Sequence, residues 1–450
     1  MPTVFIKTYG CQMNERDSEA VAAQLVAKGY SLVKSEHVAD IVLLNTCSVR
    51  DNAEQTALGK MSAMIGLGRK DRPDQIFGFL GCMAQSRGQE LIDRLPDVDL
   101  VVGTQKFHRV ADYLDDLLEG RRKKIVDTDA ESGSESTIRE HLVSGGSQPS
   151  VTAFVSIMQG CNQYCTFCIV PYTRGEERSR PIPEIVSECQ QMVSRGVKEI
   201  TLLGQIVTSY GKREIAKHEG KTAFVQLIEA VHDIDGLERI RFTSPHPKGY
   251  GDDLVEAYVR LPKLASHAHL PVQSGSDRVL KLMHRGYDRQ RFLEIVQKLR
   301  LARSNIGITS DIIVGFPGET EEDFNQTLSL CREVEFDNAF LFKYSPRRDT
   351  PAASMPGQLP ESLIEERHAR LLELVNEIGA RKYDAFIGKQ ARILVEGPSK
   401  KNSARVMGRT TCNKIVLFEG SERHKGQVMD VSITRVGSFT LYGDPAIVNL

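Results

Sequence analysis

No run of eighteen apolar residues occurs in this 450-residue chain, so no membrane-crossing helix is expected. A surplus of charge is missing as well. With 58 Lys and Arg against 59 Asp and Glu, a uniformly basic nucleic-acid coat is excluded. The start lacks the basic, apolar and small-residue succession of a secretory signal, and the stretch from Met1 to Lys7 enters an extended pattern at once. A soluble, cytoplasmic protein with reduced thiols is therefore expected, and cysteines there read as metal ligands rather than disulfides. Only nine cysteines occur, yet three of them, Cys161, Cys165 and Cys168, fall in one short loop. That loop has no fourth ligand. No second cysteine pair or nearby histidine follows, as a closed zinc site would need, and no further cysteines and proline, as a ferredoxin run would supply.

The loop reads Gly160-Cys161-Asn162-Gln163-Tyr164-Cys165-Thr166-Phe167-Cys168. It can wrap a small inorganic core and present three thiolates to it. On a cubane of four irons, three thiolates leave one iron open to a small molecule.

At this length two or three domains are expected. Residues 1–120 alternate short apolar runs with helical stretches, the pattern of an α/β domain on a parallel sheet. The runs are Val4–Thr8, Ala39–Asn45, Gln75–Leu80 and Asp99–Val102, with helical patterns at Asp17–Ala27, Asn52–Ile65 and Gly88–Leu95. Gly10-Cys11, Thr46-Cys47 and Gly81-Cys82 follow the first three runs. In a parallel sheet these strand ends share one edge, where binding crevices form. Cys11, Cys47 and Cys82 are thus expected to converge on a second three-thiolate cluster, with Asn14 and Asn45 orienting backbone around it.

Arg121-Arg122-Lys123-Lys124 and the Gly, Ser and acidic stretch to Ser150 read as a connection, 121–150. From 151 to 382 six further β-α units suggest a partial (β/α)6 barrel. Its strands are expected at Ala153–Met158, Glu199–Leu203, Arg239–Thr243, His267–Val272, Gly307–Val314 and Asn338–Tyr344. The cluster loop follows the first strand, and Gln205, Ser244 and Gln273 follow later ones at the same edge, where they are expected to contact the cofactor. Asp311 lies inside the fifth strand and is expected to face the lumen, as a structural hub or a cofactor contact. Arg174 is expected to neutralise a carboxylate or phosphate at the open iron, and Phe167 to stack on a purine. Cys189, Cys331 and Cys412 read as structural.

After a helical pattern at Leu363–Tyr383, the segment 383–446 loses the helical period. Five short strands with turns at Glu396-Gly397, Glu419-Gly420 and Val436-Gly437 suggest a small β-barrel. Residues 381–450 carry 12 basic and 6 acidic side chains, a local surplus suited to a polyanion. Arg392, Lys400, Lys401, Arg405, Arg409, Lys414, Arg423, Lys425 and Arg435 supply most of it.

These segments carry a resemblance over essentially the whole chain. Thr8-Tyr9-Gly10-Cys11-Gln12-Met13-Asn14, Asn45-Thr46-Cys47-Ser48-Val49-Arg50, Gly81-Cys82-Met83-Ala84-Gln85 and the run from Gly160 to Arg174 resemble the radical S-adenosylmethionine (SAM) methylthiotransferases. The tail resembles the RNA-binding TRAM domain. By that resemblance Cys161, Cys165 and Cys168 hold a 4Fe–4S cluster that binds SAM, with Phe167 near its adenine. Cys11, Cys47 and Cys82 hold a second, auxiliary 4Fe–4S cluster that supplies or carries sulfur. The resemblance is strongest to the branch acting on N6-isopentenyladenosine 37 in the tRNA anticodon loop, giving the 2-methylthio product. It implies one SAM as radical source, one as methyl donor, a reducing partner such as flavodoxin or ferredoxin, and a monomer. Threonylcarbamoyladenosine in tRNA and a ribosomal-protein aspartate are the alternative targets. The chain departs from the branch at Ile206 and Thr208, where asparagines are usual.

Overall fold

The computed structural model describes residues 1–48, 51–131, 150–399 and 402–445. Most of the expected connection, 132–149, with Val49, Arg50, Lys400 and Lys401, lies outside them.

Six parallel strands form the first sheet in the order β2-β1-β3-β4-β5-β6. They are β1 Thr3–Tyr9, β2 Ser31–Leu32, β3 Ile41–Thr46, β4 Ile76–Gly81, β5 Leu100–Val102 and β6 Ile125–Asp127. Strands β3 and β4 are wholly buried because helices cover both faces, which is why their sequences run apolar without alternation. Residues Gln12–Ala27 and Val110–Leu118 close one face, and Asp51–Asp71 and Gln89–Arg94 the other. The expected connection begins later than its composition suggests. Ile125–Asp127 pairs with β5 as the sheet's edge strand, and Arg121 and Arg122 pair with the Asp116 carboxylate.

The middle region has six parallel strands in two sets of three: β7 Thr152–Ser156, β10 Glu199–Leu203 and β11 Arg239–Phe242, then β12 His267–His269, β13 Gly307–Val314 and β14 Asn338–Lys343. An isolated parallel bridge, Ile240 to Leu264, joins β11 to the approach of β12. Helices pack outside around one large core. This is the partial (β/α)6 barrel expected. A small ribbon, β8 Met158–Gln159 with β9 Arg178–Ser179, closes the base of the cluster loop.

The helix Glu361–Asp384 leads to a closed five-stranded barrel, β15-β16-β17-β19-β18. The strands are β15 Gln390–Ser399, β16 Asn402–Thr410, β17 Ile415–Glu419, β18 Val428–Gly437 and β19 Thr440–Pro445. Glu396-Gly397 is not a turn but a bulge inside β15, where the register shifts between Val395 and Gly397. This module docks on the N-terminal ends of the middle strands. Arg241 Nη2 donates to the Thr410 carbonyl at 2.7 Å, Arg239 Nη1 to the Arg409 carbonyl at 3.0 Å, and Lys414 Nζ to Asp337 at 2.6 Å. Lys414 is buried there, so this cation of the tail serves docking rather than an exposed field, while Arg409 pairs within the module with Glu396. The tail therefore sits at the opposite end of the barrel from the cluster loop.

Candidate active site

Register alone brings the N-terminal thiols together. Tyr9 lies beside Thr46 and Thr46 beside Gly81, so Cys11, Cys47 and Cys82 leave three adjacent strands at one edge. Neighbouring strands stand about 4.8 Å apart, which sets the scale of the thiol spacing. Behind them lies a buried amide lattice. Asn14 Nδ2 donates to Asn45 Oδ1, and Asn45 Nδ2 donates to the Asn14 carbonyl and to Ser18 Oγ, each at 2.9 Å. Cys11 donates to Asn14 Oδ1 at 3.3 Å. Gly81 has φ +93, and a Cβ there would stand 2.2 Å from Asn45 Oδ1, so only glycine lets this strand end close on the lattice. A hydrogen bond with Cys47, helped by the Arg174 charge, brings the Cys11 thiol down to about 6. Burial pushes Cys82 up.

The second set is held by one loop folded back on itself. The Cys161 N–H donates to the Gly175 carbonyl at 3.0 Å, and the Cys168 N–H to the Cys165 carbonyl at 2.9 Å. Thr166 ties the loop outward, its hydroxyl donating to the Leu282 carbonyl at 2.9 Å. Gly160 has φ +84, and a Cβ on it would stand 1.8 Å from the Glu176 carbonyl oxygen. Burial pushes Cys161 up to about 11 and Cys168 up to about 12. Buried thiols of this kind ionise when a bound cation compensates them, as irons do. Arg285 answers part of that need, with Nη1 3.4 Å from Cys165 Sγ and Nη2 donating to the Pro271 carbonyl at 2.9 Å. Among the described residues, no three His, Cys, Asp or Glu side chains are spaced to chelate one ion. Thiolates that each take a different iron of a cubane stand further apart than that. The donor sets fit such clusters.

A cavity of about 990 Å³ opens beside the loop, lined by Phe167, Cys168, Gln273, Asp311, Ile313 and Phe342 among others. Three of the expected contacts, Phe167, Gln273 and Asp311, therefore share one space with Cys168. Phe167 also packs with Val279, Met283 and Phe316. Asp311 faces this lumen as expected, 3.4 Å from His269 Nε2. Gln273 has φ +71 and bridges to β13, its N–H donating to the Asp311 carbonyl at 2.8 Å. Ser244, φ +54, also lies in the left-handed region, but neither it nor Gln205 lines the cavity. Gln205 Oε1 is buried without a hydrogen-bond partner. Thr208 clamps the neighbouring loop, donating to the His246 carbonyl at 3.3 Å and accepting from the His246 N–H at 3.0 Å. Arg174 is placed otherwise than expected. It turns away from the cavity to Asp17, at 2.7 Å, and to the N-terminal thiols. Arg285 stands far from the loop in the chain, and no spacing signal in the sequence points to it.

Contacts between the two regions run along the same seam. Thr104 Oγ1 donates to the Thr173 carbonyl, Arg16 stands 3.7 Å from Glu188, and Ser156 Oγ lies 3.9 Å from Met13 Sδ. The N-terminal sheet edge thus lies against the barrel end that carries the cluster loop, with the helix Val170–Arg174 between the two thiol sets.

A partial barrel with a three-cysteine loop, beside a parallel-sheet domain with three strand-end thiols, defines a radical SAM enzyme with a second candidate cluster site. Residues 155–331 match the model of the Radical SAM superfamily, 3–103 that of the uncharacterized protein family UPF0004, and 384–446 that of the TRAM domain. The chain is 52% identical to the tRNA-2-methylthio-N(6)-dimethylallyladenosine synthase of Opitutus terrae, over 99% of this chain and 97% of that protein. It is 50% identical to the protein of that name from Akkermansia muciniphila, over 99% of each. A radical SAM methyltransferase, TsrM from Kitasatospora setae, shares the fold at 12% identity, with a TM-score of 0.58 over 78% of this chain and 75% of that one. The chain belongs to the tRNA-2-methylthio-N(6)-dimethylallyladenosine synthase family of radical SAM methylthiotransferases.

Proposed function

We propose that this chain converts N6-isopentenyladenosine 37 of tRNA to its 2-methylthio derivative, consuming one SAM as radical source and one as methyl donor. The observation that carries the proposal is the pair of three-thiol sets on either side of one short helix, in a chain whose full-length relatives bear this activity's name. The carbon 2–hydrogen bond of adenine is beyond acid–base chemistry by side chains, so the cofactors must break it. When bound, the cluster at Cys161, Cys165 and Cys168 supplies the electron that splits SAM, and the one at Cys11, Cys47 and Cys82 supplies or carries sulfur.

The chain's own residues bind, orient and shield. Phe167, Gln273 and Asp311 line the space next to Cys168, offering one aromatic face and two polar groups to SAM. Arg285, 6% exposed, fixes Cys165 and lends it positive charge. Gln205 and Ser244 are assigned to the strand-end rim, where Gln205 Oε1 has an unmet acceptor to offer. The target base must leave the anticodon-loop stack to reach the seam, a cheaper extrusion than from a duplex. On the tail, Arg392, Arg423 and Arg435 are exposed, and Arg435 lies 3.8 Å from the Tyr442 ring centre, a cation and an aromatic face suited to RNA. The working units are 1–120, a connection at 121–150 whose first residues complete the sheet, 151–382 and 383–446. The enzyme acts as a cytoplasmic monomer and takes its electrons from a flavodoxin- or ferredoxin-like donor.

Nucleoside analysis of tRNA from a strain lacking the gene tests the target. Loss of 2-methylthio-N6-isopentenyladenosine alone, restored by the gene, is expected. Loss of the methylthio-threonylcarbamoyl nucleoside, or of a methylthio-aspartate in a ribosomal protein, would assign another target.

A further inference from the structure

Among the described residues, a cation set against the N-terminal thiols comes from the other domain. Arg174 closes the short helix that follows Cys168 and is 2% exposed. Its Nη2 stands 2.7 Å from Asp17 Oδ2, and its guanidinium lies against Cys82 and Cys11. Neither Nη nitrogen has a hydrogen-bond partner of good geometry among the described residues. A guanidinium this deeply buried is costly unless anions surround it, and Asp17 offers only one charge. The remaining donor capacity faces the thiols. The backbone holds it there, because Gly175 has φ +73 and a Cβ on it would stand 2.8 Å from Gln105 Nε2, while Thr104 grips the Thr173 carbonyl.

We propose that Arg174 sets the reduction potential of the iron–sulfur cluster held by Cys11, Cys47 and Cys82, so that the loop of one site tunes the other. This rests on the reading that those thiols hold a cluster. A fixed positive charge in a low-dielectric setting stabilises the reduced, more negative cluster and raises its potential. Asp17, paired with the guanidinium, partly offsets that field.

The test uses the full chain with Cys161, Cys165 and Cys168 changed to alanine, which leaves the N-terminal cluster as the one signal in an anaerobic redox titration followed by electron paramagnetic resonance. Adding Arg174→Gln is expected to shift the midpoint to lower potential, Arg174→Lys to leave it near the parent, and Asp17→Asn to shift it upward. An unchanged midpoint in Arg174→Gln, or equal shifts in the Gln and Lys variants, would overturn the proposal. Should Arg174→Gln lose its iron, Asp17→Asn decides alone: an upward shift supports the charge role and no shift overturns it. A parent protein without iron would instead refute the cluster reading, a result distinct from any failure of Arg174.

Discussion

Cys161, Cys165 and Cys168 come from one loop, whereas Cys11, Cys47 and Cys82 come from three strands about one β-α repeat apart. The loop set is anchored by its own backbone and by Arg285; the strand set is anchored by register and by the Asn14–Asn45 lattice. Their charge settings differ as well. Burial holds Cys161 and Cys168 high, while Cys11 is brought down beside Cys47 and Arg174. A local motif thus needs one glycine-shaped turn, and a dispersed one needs a whole sheet.

The largest expected effect separates the two sets by function. Cys47→Ala should abolish methylthiolated tRNA while SAM cleavage to 5′-deoxyadenosine persists, both read by mass spectrometry of one reaction. If Cys47→Ala also ended SAM cleavage, the two sites would not be separable. Gly160→Ala comes next, since its Cβ would overlap the Glu176 carbonyl. It should remove the loop's iron and SAM cleavage but spare the N-terminal iron, and an unaltered SAM cleavage rate would show that the loop tolerates another path.

Arg285→Ala should lower SAM cleavage about tenfold, the scale of losing an outer-shell partner of a metal ligand. Arg285→Lys should recover part of that loss. In the metal-free protein, alkylation at pH 7 should label Cys11 well before Cys161 and Cys168. A thiol brought to about 6 is largely thiolate there, whereas those raised to about 11 and about 12 ionise only as the pH climbs past those values. Peptide mapping with time reads the order, and equal rates would erase the contrast. The smallest effect belongs to the tail: Arg435→Ala should weaken tRNA binding and reduce its salt slope by about 1 if the contact is to phosphate. SAM cleavage without tRNA should not change.

Much of this was legible in the sequence. Strands such as Glu199–Leu203 and Gly307–Val314 fall where the apolar runs put them, because packing on one large core enforces it. The first helix starts ahead of its apolar pattern. It begins at Gln12 rather than Asp17, since its opening turns bury Asn14, Arg16 and Asp17, polar residues that serve the site and the seam and hide the apolar period. Ile125–Asp127 falls inside the expected connection because three residues beside a basic run make a weak strand signal, and only pairing with β5 reveals it. Nearness in sequence to Cys168 points Arg174 at the open iron, yet the short helix turns it toward Asp17. Arg285 carried no motif, and the positive φ of Ser244 and Gln273 is a backbone property that residue type does not announce.

The central claim is that two thiol sets hold two clusters, and anaerobic iron and sulfide analysis tests it most directly. The wild-type protein should carry about eight irons and the Cys161/Cys165/Cys168 triple alanine variant about four, since each cubane contributes four. Four irons in the wild type, falling to none in the variant, would contradict it.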